Sequence, residues 1–251
     1  MILIRGFALG LLLTLVFVPP HLALAQDQSR IIVFAGADIQ PTTTSFRDIT
    51  RYTVNLEEAR AESAYDVEGG VTFDLGVGVR VAGPLTAMVS VNRLNRGTTS
   101  VNTFSTPHPF FFNQDRQASA PLGGLNLSET MVHVSAAYVV PTESALQVVV
   151  FGGPTFIQFK QETVQTFEFV ETYPYDAITD VQLTSGMISD SAIGFNAGVD
   201  VAWFFLPNVG VGGQLRFVQA EKRLSIGDGD PFDLSLGGVQ FGAGIRFRFG
   251  E

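Results

Sequence analysis

The stretch VQFGAGIRFRF, from Val239 to Phe249, decides how the chain is read. Val239, Phe241, Ala243, Ile245, Phe247 and Phe249 are apolar. Gln240, Gly242, Gly244, Arg246 and Arg248, which alternate with them, are polar, charged or tiny. A period of two places the two sets on opposite faces of a β-strand. An apolar outer face with arginines and glycines behind it suits a strand whose outer solvent is lipid.

Other segments repeat the pattern. Val71–Val81 alternates valine, phenylalanine and leucine with Thr72, Asp74, Gly76, Gly78 and Arg80. Ser191–Phe205 sets Val199 and its apolar neighbours against Gly194, Asn196 and Asp200. Ile31–Ile39, Leu85–Val91, Leu127–Val140 and Val209–Gln219 behave alike, with Asp38, Glu129, His133 and Arg216 on the inner parity. In Ala145–Lys160 the parity is mixed. Phe151, Ile157 and Phe159 read as outward, with Gly152-Gly153-Pro154 as a candidate bulge that resets the register. Connections alternate between long (40–69, 97–126, 161–190) and short (82–84, 141–144, 206–208), with an intermediate one at 221–234. This asymmetry predicts an all-β fold: a transmembrane up-and-down antiparallel β-barrel of about eight strands. A soluble barrel of the same topology would need the opposite polarity, apolar inside and polar outside.

The N-terminus fits export. Arg5 precedes an apolar run from Gly6 to Val18, then Pro19-Pro20 and the small residues Ala23 and Ala25. The run is shorter than the ~20 residues a spanning helix needs. Residues 1–25 are therefore expected to be a cleaved signal peptide, and residues 26–251 one barrel domain. The formal charge is -9 and there is no cysteine, which excludes disulfides and thiol catalysis. An acidic exported chain without a basic patch is a poor nucleic-acid binder.

These segments, above all Gly194-Phe195-Asn196-Ala197-Gly198-Val199-Asp200 and Gly244-Ile245-Arg246-Phe247-Arg248-Phe249, resemble the outer-membrane β-barrel family of the small OmpA/OmpX type. The resemblance implies residence in the outer membrane of a Gram-negative-type envelope. It implies contact with outer-membrane lipids and lipopolysaccharide, and recognition of the terminal aromatic by barrel-assembly machinery. A monomer is expected, with no cofactor.

The candidate functional residues follow from parity. Asp38, Asp74, Arg80, Glu129, His133, Asp200, Arg216, Arg246 and Arg248 are expected to form a paired charge network that fills the lumen. An eight-stranded lumen is only just wide enough for its own side chains. Asp200 is placed by height to meet Arg246 or Arg248. Val77, Val199, Phe247 and Phe249 are expected to meet lipid. The role expected from this is structural or surface-interacting, through long acidic outer loops whose partner the sequence does not name. Residues 161–190 carry six carboxylates and no lysine or arginine. Aromatics such as Phe110-Phe111-Phe112, Phe167 and Tyr173 read equally as adhesive contacts or as strand extensions and a lid. Asn55–Tyr65 has a helix-friendly composition. The alternatives are a small pore and, more remotely, a lipid A deacylase-like hydrolase using His133 and Ser135 with Glu129. The turn Asp228-Gly229-Asp230-Pro231-Phe232-Asp233 lacks the later Glu of a calcium loop, so no metal is expected and no catalytic residue is assigned.

Overall fold

The computed structural model describes residues 30–142, 144–225 and 229–250. The expected signal segment and Asp228 lie outside them. Ten strands follow in order: β1 (Ile31–Gln40), β2 (Thr44–Val54), β3 (Glu57–Val67), β4 (Gly70–Ala82), β5 (Leu85–Pro107), β6 (Asp115–Val140), β7 (Leu146–Glu171), β8 (Ile178–Phe204), β9 (Val209–Leu224) and β10 (Phe232–Phe249). Hydrogen bonding runs β5-β4-β1-β10-β9-β8-β7-β6 and returns from β6 to β5. This is a closed ring of eight antiparallel strands, which leaves no edge in the apolar zone. The last strand pairs with the first from Ile31↔Phe249 to Ile39↔Phe241.

The outer face of the ring carries a belt of exposed valine, leucine, isoleucine and aromatic side chains, among them Phe73, Leu75, Val77, Phe195, Val199, Trp203 and Phe249. Phe247 lies on the same outward parity, half-buried beside Phe249. The belt spans five or so outward positions per strand, about the height of a hydrocarbon core. Polar outward residues such as Arg93, Lys160 and Gln219 mark its upper edge.

Above that belt the structure departs from the sequence expectation. The segments 40–69, 97–126 and 161–190 are not loops. β5 has 23 residues, β6 and β7 have 26 each, and β8 has 27, against the 9–11 or so that cross a bilayer. β2 and β3 form a hairpin that prolongs β1 and β4, with β3 paired to the upper half of β5 from Arg60↔Ser105 to Val67↔Thr98. The helix expected over Asn55–Tyr65 is therefore strand. Asn55 and Leu56 turn the chain with φ of 51° and 71°, the left-handed pair of a two-residue hairpin turn. Ala59, Ala61, Ser63 and Tyr65 then alternate inward against outward charges. Tertiary pairing overrides the helical preference of alanine and glutamate.

The parity of β7 is also corrected. Phe151, Ile157 and Phe159 point inward and are buried, while Val150, Pro154 and Phe156 face out. Gly152-Gly153-Pro154 does not reset the register, since His133↔Thr155 and Ala136↔Gly152 lie on one continuous alignment. The ladder skips only Val134 and Ser135, opposite Pro154 and Gly153, where proline has no N–H to donate. Gly153 is held close to β6, since a Cβ on it would sit 2.1 Å from the Val134 carbonyl oxygen.

The outer belt gives a direct test. Val77→Arg or Val199→Arg is expected to destabilise the barrel by ~2–4 kcal/mol near the bilayer midplane, measured by urea unfolding from lipid vesicles. Ser191→Arg, above the belt, should cost far less.

Candidate functional site

The lumen is built in layers, each set by inward positions at one height. In the upper part of the membrane zone, Gln214 donates to both oxygens of Asp38, at 3.0 and 2.8 Å, and to Asp74 at 2.8 Å. Arg216 donates to the same Asp74 oxygen at 2.9 Å and to Ser90 at 3.3 Å. β9 therefore reaches β4 and β5 across the barrel. Such a crossing needs room, and Gly242 supplies it: a Cβ there would fall 1.6 Å from the Asp38 carboxylate. One layer away, Asn92 donates to Gln240 and Gln240 to Gln40, whose amide donates to the Gly237 carbonyl.

Two further ion pairs bracket this layer. Towards the short-turn end, Arg246 grips Asp200, with Nε donating to Oδ2 at 3.1 Å and Nη2 closer still. Towards the other end, Arg96 pairs with Glu129 at 2.9 Å, both side chains fully buried. Of the two arginines expected near Asp200, Arg246 meets it. Arg248 instead stays at the rim, donating to the Pro207 carbonyl and lying 4.2 Å over the Phe204 ring. Arg80 is half-buried at the same end, beside the register shift between β4 and β5. Arg96 was missed by sequence reasoning. It shares the inward parity of Ser90 and Asn92, and only the assignment of 97–126 to a loop, with the strand ended at Val91, hid it.

His133 and Ser135 are inward and buried, but the chain does not couple them. His133 Nδ1 lies 2.8 Å from the Thr155 hydroxyl, whereas Ser135 donates to the Asn196 carboxamide at 3.0 Å. Glu129 belongs to Arg96. The serine thus has no base and the histidine no carboxylate, as a nucleophilic triad would need.

Above the polar layers the interior turns apolar. Phe46, Tyr65, Leu94, Leu127, Met131, Ile157, Phe159, Val218, Leu234 and their neighbours form one buried cluster, to which β2, β3 and β5 through β10 all contribute. Phe46 stacks on Tyr65 at 4.6 Å and on Phe232 at 5.2 Å. The Tyr65 hydroxyl accepts from the Val164 N–H at 2.9 Å, spanning the lumen from β3 to β7. The cluster is a hydrophobic plug. At the short-turn end a small cavity of about 30 Å³ lies between Phe34, Met88, Val149 and Phe151, with the Arg246–Asp200 pair on its wall.

The hairpin tips are the remaining exposed feature. Phe110, Phe111 and Phe112 are 67%, 55% and 69% exposed in the β5–β6 turn, and Tyr173 is 84% exposed in the β7–β8 turn. The two tips are tied together. Arg116 pairs with Glu171 and donates to the carbonyls of Tyr175 and Pro107, while Phe110 sets its ring edge-on to Tyr175 at 5.5 Å.

A closed eight-stranded ring, an apolar belt and a filled lumen define the class: the chain has the fold of the small outer-membrane β-barrels. No family model and no curated protein matches it. Among solved structures, the outer membrane protein OprG of Pseudomonas aeruginosa is similar over 89% of this chain and 97% of its own, at 12% identity and a TM-score of 0.57. Neisserial surface protein A covers 86% of this chain and 97% of its own at 14% identity and a TM-score of 0.42. Ail, the attachment invasion locus protein of Yersinia pestis, covers 88% and 99% at 12% identity and 0.37.

The central ion pair should behave as buried pairs do. Asp74→Ala leaves Arg216 uncompensated and is expected to cost about 3–5 kcal/mol, of which Asp74→Ala with Arg216→Met recovers a large part. Asp200→Asn should lower the thermal midpoint of the barrel, read by loss of heat-modifiable mobility on gels.

Proposed function

We propose that this chain is an exported, monomeric integral outer-membrane protein with a non-catalytic, surface-interacting role. Its lower half contacts lipid and lipopolysaccharide, and its upper half holds a contact surface well above them. The observation that carries the reading is the pair of tied hairpin tips. Four large aromatic side chains stand in water there, where a soluble surface normally buries them. The two tips that carry them are tied together by Arg116 through Pro107, Glu171 and Tyr175, so binding would lose less conformational freedom than at loose loops. The acidic outer loops expected from sequence become, on this reading, the acidic walls of that extension.

Three features of the interior favour this over a pore. The network of Gln214 and Arg216 with Asp38 and Asp74 crosses the lumen, Arg96 and Glu129 form a second layer, and the apolar plug forms a third. A hydrolase reading would require His133 and Ser135 to leave the partners they have and to face the bilayer.

The experiment is a comparison of cells displaying wild-type protein with cells displaying the Phe110→Ser, Phe111→Ser, Phe112→Ser variant at equal surface level. Adherence to hydrophobic and protein-coated surfaces is expected to fall several-fold in the variant, and planar bilayers with purified wild-type protein should show no steady conductance. Equal adherence would remove the contact surface, and a stable ohmic channel would favour the pore.

A further inference from the structure

Above the Phe46–Tyr65 stack the interior opens into a second cavity. It holds about 260 Å³ and is open at its mouth. Asp48 and Tyr52 of β2, Ser63 of β3, Phe104 of β5 and Phe167 of β7 line it. The register fixes the heights. Phe46 pairs with Tyr65, and the next inward pair up is Asp48 and Ser63, so Asp48 stands one step above the plug. Three rings sit together on the wall, Phe167 lying 5.5 Å from Tyr52 and 4.6 Å from Phe104.

Asp48 is out of place in such a cavity. It is only 6% exposed, and its Oδ1 has no hydrogen-bond partner. Its carboxylate accepts from the Ile49 N–H, which satisfies part of one oxygen. The cation on the same strand is committed elsewhere, since Arg51 pairs with Asp230 and Glu58. Burial, with the Asp230 charge adding to it, pushes the Asp48 carboxyl up to about 6. A buried carboxylate that no cation meets is costly, and its open oxygen calls for a donor.

We propose that this cavity is a binding site for a small organic cation, an amine or quaternary ammonium on an apolar or aromatic body. Asp48 holds the charge, and Tyr52, Phe104 and Phe167 hold the body. A carboxylate beside aromatic rings is the chemistry that selects an ammonium group over its neutral isostere. Arg51 also borders the cavity, but its guanidinium is held by Asp230 and Glu58, so a part-aromatic, part-polar cavity is left with one uncommitted buried charge, the form of a small-molecule site. The acidic residues 161–190 of the β7–β8 hairpin add a field that concentrates cations at the mouth. This site is separate from the aromatic tips and does not depend on what they contact.

The test uses full-length mature protein in phosphoglycerol-lipid vesicles, with benzylamine and its neutral isostere benzyl alcohol as probes, read by calorimetry. Benzylamine is expected to bind saturably and about tenfold or more tighter than benzyl alcohol, the difference a charge-assisted contact makes. Asp48→Asn should remove that preference by weakening benzylamine alone. Phe167→Leu should weaken both probes. Asp48→Asn removes an unpaired buried charge, so it should fold at least as well as wild type, and heat-modifiable mobility checks this. Equal affinity for the two probes, an unchanged preference in Asp48→Asn, or no saturable binding of benzylamine to the wild type would each overturn the proposal.

Discussion

Everything in this molecule follows from one constraint: a backbone amide inside hydrocarbon must find its partner within the protein. The eight strands meet it by closing on themselves, and closure at eight fixes the bore. A bore that narrow is just wide enough for its own side chains, so the inward positions decide one another's size. Gly76 shows the tightness, because a Cβ there would lie 2.2 Å from the Phe34 ring. Glycine is the residue that lets Phe34 cross, and Gly242 does the same for Asp38. The abundance of glycine in the alternating strands is therefore a packing requirement of the narrow lumen.

The chain reverses its polarity part-way up. Within the apolar belt the outside is greasy and the inside mostly polar, with one small apolar cluster of Ala137, Val139, Val149 and Phe151 at the short-turn end. Above the belt the inside becomes the hydrophobic cluster around Tyr65 and Leu127, while Arg47, Arg60, Glu58 and Asp66 face out. Both arrangements obey the same rule, since the apolar face turns away from water. β6 shows the change along one strand. On one inward parity it carries Ser135, His133 and Glu129, then Leu127 and Leu125. Met131 is the single apolar step among the polar ones, and it already belongs to the plug.

That reversal explains what the sequence could and could not disclose. Clean apolar alternation outside made Val71–Val81, Ser191–Phe205 and Val239–Phe249 readable as lipid-facing strands with their faces assigned. It failed in the upper half, because a period of two with polar residues on both faces, as where inward Thr98, Ser100 and Asn102 alternate with outward Thr99 and Thr103, carries no strong contrast. β7 failed for another reason. Its inward Phe151, Ile157 and Phe159 are as greasy as its outward Val150 and Phe156, so composition alone could not choose the face. In the lumen, the types of residue were legible and the partners were not. Gln214, a neutral side chain, joins Asp38 to Asp74, and no charge pattern points to it.

The place where the ladder between β1 and β10 stops marks the same boundary by a different route. Pairing runs up to Ile39↔Phe241 and then ends, at the last pair of outward apolar residues. Immediately above, side chains and a single backbone contact replace the ladder. Gln40 donates to the Gly237 carbonyl, Val239 donates to the Thr42 hydroxyl, and the Asp230 N–H reaches the Ile49 carbonyl at 2.8 Å. Gly237 and Gly238 take φ of 87° and 141° to make the turn-out. A seam bridged by a few side chains leaves backbone groups to be hydrated, which water permits and hydrocarbon forbids. Hydropathy on the outer surface and hydrogen bonding along the strands thus place the upper limit of the membrane zone at one level, just above Ile39 and Phe241. Residues above that level, Asp48 and the aromatic tips included, belong to an extension that answers to water.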